Sequence, residues 1–182
     1  RALRLAGKYA DARLRLDELE AASAPTPALA AQLHAERAAV DLSEGRLREA
    51  EANFLEAIVA GERAGDAELV SDAWTQLAWV VGVELNRVEA GRKYIRIAEA
   101  KLAELPASEA RSAALDHTKG GLAYASGAHE DARAHYSRAL ERLLAAFGEE
   151  HPAVARTHSH IANVLINQKR FPEARQHAER SL

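Results

Sequence analysis

One six-residue signature recurs five times along this chain: a turn residue, a large residue two positions on, and a small residue three further. It reads GKYADA from Gly7, GRLREA from Gly45, NRVEAG from Asn86, GAHEDA from Gly127 and KRFPEA from Lys169, so that successive turn residues stand 38, 41, 41 and 42 positions apart. Spacing this regular marks a repeat architecture. Each unit has an apolar face that it cannot bury by itself, and it hides that face by stacking on the next unit.

The residues around each signature have helical spacing. After the turn come Ala50, Phe54 and Ala57, then Gly91, Ile95 and Ala98, then Ala132, Tyr136 and Ala139. Offsets of four and three place each trio on one stripe of a helix. Before the turn, Trp74, Leu77, Ala78 and Val81, and again Ile161, Ala162 and Leu165, form a second kind of stripe. Helix boundaries are punctuated by the segment ASAPTP from Ala22 to Pro27, by Pro106, and by Pro152 after GEEH. No alternating apolar–polar run of useful length competes with this pattern. The chain is 48% hydrophobic but only 5% aromatic, so small and aliphatic side chains supply the core, as suits close helix packing. The unit predicted is helix–turn–helix, and the fold class is all-α.

These residues resemble the tetratricopeptide repeat. The first-helix Trp and Leu of that family appear in WTQLAWVV (Trp74 to Val81), and its turn and second helix appear in GRLREAEANFLEA and GAHEDARAHYSRA. Its small-residue slot is filled by Ala78, Gly120 and Ala162. The resemblance implies a right-handed superhelical solenoid of helix–turn–helix repeats spanning 1–182. Its units are a partial repeat over 1–24, repeats at about 27–65, 66–105 and 107–148, and a truncated repeat over 151–182. The period exceeds the 34 residues of the standard unit. The helices are therefore expected to be about a turn longer, as in the kinesin-light-chain type that FGEEHPAVARTHSHIANVLINQKRFPEA resembles. Two departures stand out: Lys119 takes an expected apolar slot, and Leu85 reads as a one-residue insertion. The first copy is expected to lack its leading helix. The chain begins at Arg1 and contains no methionine, which reads as a piece of a longer polypeptide whose array continues. The stretch Ala73 to Leu102 is also similar to the repeat regions attached to bacterial serine/threonine protein kinases of myxobacterial type, although no kinase motif lies in these residues.

In this family the first helix of each repeat lines a concave groove that holds extended or helical peptides. Taking Val154, Ile161 and Leu165 as the packing stripe leaves Arg156, Ser159, His160, Asn163 and Asn167 for the groove. The same register carried back gives His117, Thr118 and Tyr124, then Thr75, Gln76 and Trp79, then Gln32 and Glu36. Asparagine is a poor helix former because its amide competes for backbone hydrogen bonds, so Asn163 and Asn167 one turn apart ask for a reason. A carboxamide can donate and accept, which suits capture of a peptide unit, and in related repeats an Asn at the place of Asn163 does this. The alternatives are that Asn163 is solvated and that Asn167 helps to end its helix. Arg156 is placed either to pair with an acidic side chain or terminal carboxylate, or to remain a solvated charge. A full carboxylate clamp would need several basic residues on this wall, and Arg156 is alone there. For Trp79, burial between repeats competes with a role as an aromatic anchor in the groove.

Several function classes are disfavoured by composition and motif. Net charge is −3 with a pI of about 6.3, which provides no strong field for nucleic acid or anionic membrane. No apolar run approaches a membrane span, and there is no cysteine, in keeping with a reducing, cytoplasmic setting. Seven of the eight histidines follow residue 116, yet His158 and His160 point in different directions around their helix, and His117 with His160 has no evident third ligand. A pH-sensitive groove is the other use of these imidazoles. No nucleophile elbow or phosphate loop is present, and neither cofactor nor metal is expected. The expectation is a non-catalytic scaffold with a protein or peptide ligand in the groove, serving as the interaction or regulatory region of a larger bacterial signalling protein such as a kinase. The competing readings are a structural spacer that self-associates through open repeat ends, and a small-molecule sensor of the kind attached to transcriptional regulators.

Overall fold

A computed structural model describes residues 2–22 and 25–181; Ser23 and Ala24, in the expected linker between the first two units, lie outside the described residues. Ten α-helices follow one another in the described residues, with no strand: α1 (Ala2–Leu5), α2 (Tyr9–Ala22), α3 (Pro27–Ser43), α4 (Leu47–Ala64), α5 (Ala67–Trp79), α6 (Val88–Ala103), α7 (Glu109–Ala125), α8 (His129–Phe147), α9 (Pro152–Asn167) and α10 (Phe171–Glu179). One turn of helix, α1, precedes Gly7, where the sequence predicted that the leading helix would be absent.

All five signature turns adopt one backbone solution. Gly7, Gly45, Asn86, Gly127 and Lys169 have φ of 72°, 74°, 54°, 78° and 59°. A left-handed residue after a helix reverses the chain in the fewest residues, and glycine does so without a Cβ penalty. Asn86 tolerates this region better than most side chains. Lys169 accepts it where Lys169 N–H and Arg170 N–H close back on the carbonyls of Ile166 and Leu165 at 2.9 Å each. Helix starts are equally local: Thr26, Asp66 and Ser108 cap α3, α5 and α7 by accepting the backbone N–H three residues on, and Pro27 and Pro152 open α3 and α9.

The trios predicted from spacing are all buried, among them Phe54, Ile95 and Tyr136. The apolar side chains gather in overlapping clusters rather than one centre. Ala12, Leu16, Leu33 and Val40 join α2 to α3. Phe54, Val70, Leu77 and Val81 join α4 to α5 and its extension, while Ala78, Ile95, Leu115 and Leu122 carry the contact on to α7. Ala113, Leu143 and Val154 tie α7 and α8 to α9, and Tyr136, Ile161, Leu165 and Ala174 close α8, α9 and α10. Each cluster spans only neighbouring helices, which makes stability a sum of local and nearest-neighbour terms.

The insertion at Leu85 is absorbed as a π-helical turn over Val80–Glu84 that prolongs α5. Leu85 N–H reaches the carbonyl of Val80 at 2.9 Å, a five-residue step that takes up one extra residue without breaking the helix. The wider turn presses its backbone against α6. A Cβ on Gly91 would meet the Gly82 Cα at 2.6 Å, Leu122 Cδ2 at 2.7 Å and the Ala78 carbonyl oxygen at 3.0 Å. Lys119, the polar residue in an apolar slot, swings its ammonium out to the Glu99 carboxylate on α6 and so bridges neighbouring units.

Gly91→Ala therefore costs stability despite a helix-propensity gain of about 1 kcal/mol. Backbone atoms cannot yield as a side chain would, and overpacking of this kind costs about 1–3 kcal/mol. Urea denaturation reads the loss, and the exposed neighbour Glu89→Ala stays within about 0.5 kcal/mol of the parent.

Candidate ligand-binding groove

The first helices of successive pairs, α3, α5, α7 and α9, stand side by side and form one wall. Between α5 and α7 the wall opens into a cleft of about 360 Å³, lined by Asp72, Thr75, Gln76, Ser108, Arg111 and Ala114. Arg111 anchors one edge through Glu68 and lies 3.3 Å from Asp72. Burial raises the Asp72 pKa, opposed by Arg111.

Further along the wall, four helices contribute to one aromatic cluster: α5, α7 and α9 of the wall, and α8 behind it. The Trp79 indole stacks on His117, with centroids 5.0 Å apart, and meets His160 edge-on at 5.7 Å. His117 and His160 are 4.9 Å apart in a T-shaped pair, and His160 lies parallel to the buried Tyr136 ring at 5.2 Å. Two adjacent glycines of α7 make room for it. A Cβ on Gly120 would strike the Tyr136 ring at 2.7 Å, and one on Gly121 would strike Trp79 at 2.6 Å. The indole N–H is satisfied by Glu84 Oε1 at 2.8 Å, across the π-helical turn. Trp79 is thus half-buried, seated in the wall with part of its surface open.

The electrostatics of this cluster are one-sided. Burial pushes His117 down to about 3, helped by the charges of His160 and Arg156. The same two causes, burial and Arg156, lower His160. Desolvation by nearby protein also lowers Arg156, although the residue as a whole is exposed. Nε2 of His117 is buried and has no hydrogen-bond partner.

The remaining predicted residues divide by position. Asn163 is exposed, and its side chain makes no hydrogen bond among the described residues, whereas Asn167 donates through Nδ2 to Tyr124 Oη at 2.8 Å and to the Asn163 carbonyl at 3.0 Å. Asn167 and Tyr124 thereby bridge α9 to α7. Gln32 and Gln76 are exposed, Ser159 is half-buried with Oγ bonded to the Ala155 carbonyl at 3.3 Å, and Glu36 pairs with Arg4 at 3.4 Å. Thr75 and Thr118 do not face the groove openly as the register predicted: they are only 6% and 4% exposed. Thr75 returns its hydroxyl to the Ser71 carbonyl at 3.0 Å, so it braces the wall. A threonine is short enough for the neighbouring helix to cover.

Two features were not legible in the sequence. His158 on α9 and His177 on α10 place their Nδ1 atoms 2.8 Å apart, one ring donating and the other accepting. The buried carboxylate of Asp41 gathers Arg13 at 2.6 Å, Arg46 at 2.9 Å and Asn53 Nδ2 at 2.8 Å, which ties α2, α3 and α4 together. Its partners come from α2, from α4 and from the turn before α4, so no local motif announces it. Among the described residues, no group of three His, Cys, Asp or Glu side chains could hold a metal ion, and no helix is long and apolar enough to cross a membrane.

Stacked helix pairs with an open inner wall define a helical-repeat solenoid. Residues 111–182 match the family model of the tetratricopeptide repeat. Over those residues the chain carries the tetratricopeptide repeat. Among solved structures it is similar to the crystal structure of BtubC (BKLC) from P. vanneervenii, with a TM-score of 0.68 at 20% identity, covering 98% of this chain and 74% of that one. At that identity the likeness concerns the fold. No match is found among curated protein sequences. A repeat fold of this family is typical of non-catalytic proteins that bind other proteins.

Four imidazoles, His117, His158, His160 and His177, are all held below their ordinary value. The folded state thus disfavours protonation, and the unfolded chain binds more protons in acid. Their contribution is fully present above about pH 6.5 and is lost as pH falls, for His117 through the window down to about 3. Thermal unfolding across that window is expected to show a falling midpoint, with a shallower fall in His117→Gln than in the parent.

Proposed function

We propose that this chain is a peptide-binding scaffold whose ligand lies along the wall from the Gln76–Arg111 cleft, past Trp79, to Asn163. The observation that carries this reading is Asn163. It is an exposed carboxamide with no partner of its own, in mid-helix, on the same wall as a half-buried tryptophan. A carboxamide that weakens its helix and makes no internal bond is free to bond a group outside the fold. A carboxamide can satisfy both the N–H and the C=O of one peptide unit, and an aromatic surface with a polar edge suits an apolar side chain of the ligand. Tyr124, held by Asn167, adds a hydroxyl beside them.

The wider setting of this binding region is that of an interaction or regulatory part of a bacterial signalling protein, such as a serine/threonine kinase acting in the cytoplasm. The support is the similarity of Ala73 to Leu102 to repeat regions attached to such kinases.

Peptides selected from a displayed library on the intact chain, then measured by isothermal titration, test the groove. Asn163→Ala is expected to weaken binding about five- to tenfold, the size of one or two lost hydrogen bonds, while the thermal midpoint stays at or slightly above that of the parent because alanine favours the helix. Binding left intact by both Asn163→Ala and Trp79→Phe would place the ligand elsewhere.

A further inference from the structure

In the helix pairs α3–α4, α5–α6, α7–α8 and α9–α10 the two partners meet at one recurring position. Asn53, Tyr94, His135 and His177 each stand eight residues past the signature turn residue of their unit, and each faces a side chain of the preceding helix. Nδ1 of His34 lies 3.4 Å from Oδ1 of Asn53, and the ring centroids of Trp74 and Tyr94 are 5.5 Å apart. Nδ1 of His135 lies 3.4 Å from Oδ1 of Asp116, and Nδ1 of His158 lies 2.8 Å from Nδ1 of His177. Three of these pairs are 19 positions apart in sequence. Trp74 and Tyr94, with the π-helical turn between them, are one position further.

Acid acts differently on the four contacts. A protonated His34 still donates to the Asn53 carboxamide oxygen, and a protonated His135 meets the Asp116 carboxylate. The indole and phenol of Trp74 and Tyr94 take up no proton there. Two imidazoles are the exception. Their centroids are 5.0 Å apart, so the two Nδ1 atoms face each other head-on. That is the geometry of a shared proton and not of two lone pairs converging on a metal ion. One ring donates from Nδ1 and keeps a free Nε2; the other accepts at Nδ1 and carries its own proton on Nε2. A first added proton goes to the free Nε2 and leaves the bond standing, its donor now charged. A second finds only the accepting Nδ1. It removes the acceptor and leaves two imidazolium rings donor to donor, as like charges in contact.

Little else fastens α10. Ala174 is its one buried residue, whereas α4, α6 and α8 bury Phe54, Ile95 and Tyr136 together with further neighbours. His158 is 5% exposed, so a second charge beside it is poorly solvated while the helices stay together. Burial disfavours the charged form of either ring; His177 adds to this at His158, and Arg180, just past α10, adds to it at both. Glu173 of α10 opposes it at His177 but is itself held by Arg170. Among the described residues no other charged group of α8 or α9 acts on the pair.

We propose that the His158–His177 contact is an acid-operated clasp: uptake of the second proton parts α10 from α9 and uncovers the apolar stripe of Ile161, Val164 and Leu165. Near neutral pH the clasp is closed. The corresponding contacts in the other three pairs survive acid, so the response is confined to one pair of the array. The inference is independent of the groove reading above. Because the open form binds more protons, its population rises as pH falls, by about tenfold per pH unit for each excess proton.

Ring-nitrogen NMR shifts on the intact chain at about pH 7.5 read the tautomers. One Nδ1–H between the two rings is expected, and two or none overturns the clasp. Amide hydrogen exchange, corrected for intrinsic rates, is then compared between α10 and α8 from about pH 7.5 down to about 5. Protection of α10 is expected to fall relative to α8 by about tenfold per pH unit once the second proton binds. Two variants borrow contacts from elsewhere in the chain. His177→Asn rebuilds the His34–Asn53 contact at this place, and His158→Asp rebuilds the Asp116–His135 contact. In each, α10 is expected to keep its protection relative to α8 over the same range, and a variant whose α10 is protected at neutral pH carries the comparison. A parent whose α10 keeps pace with α8 in acid overturns the proposal. So does a variant, protected at neutral pH, whose α10 is lost as steeply as the parent's.

Discussion

A pair of amphipathic helices cannot cover its own apolar stripe, and the rest of this structure depends on where the next pair sits. The short left-handed turns at Gly7, Gly45, Asn86, Gly127 and Lys169 hold each pair antiparallel. The small residues Ala78, Gly120 and Ala162, all buried, let the helices approach closely enough for the following pair to seal the stripe. Short-range clusters linked in series are the outcome, with no single centre. Charged pairs such as Lys119 with Glu99 and Arg87 with Glu51 lie at the seams, where they select register more than they add stability.

The same stacking builds the groove. Placing α5, α7 and α9 side by side brings together residues some 40 positions apart in sequence, and so Trp79, His117 and His160 become neighbours. The π-helical turn matters here because it follows directly on Trp79. It takes up the extra residue before Asn86 and supplies, in Glu84, the acceptor that orients the indole. A local departure from the repeat thus coincides with a half-buried aromatic side chain on the inner wall, in line with the frequency of π-turns at functional positions. The groove also changes character along its length, from the acid-and-arginine cleft around Asp72 and Arg111 to an end where Arg156 stands unpaired.

Much of this was legible beforehand because it is periodic. The stripes Ala50–Phe54–Ala57 and Ala132–Tyr136–Ala139, the packing role of Ile161 and Leu165, and the insertion near Leu85 follow from counting residues. Where counting failed, the cause was side-chain size or a distant partner. Thr75 and Thr118 have the correct angular position for the groove but are too short to emerge past the adjacent helix. The Asp41 network and the His158–His177 contact join residues from different helices, and no short-range pattern encodes such meetings.

Sequence by itself determined the class of structure: the recurrence near 40 residues, the turn residues and the apolar offsets are properties of neighbouring positions, and local sterics act on them directly. Tertiary structure decided what the inner wall presents, because burial, stacking and charge compensation belong to pairs of residues on different helices. Asn163 and Asn167 look alike in sequence. In the fold Asn167 is spent on Tyr124 and Asn163 stays free on the surface, since only one of the two stands opposite a hydroxyl from the neighbouring repeat.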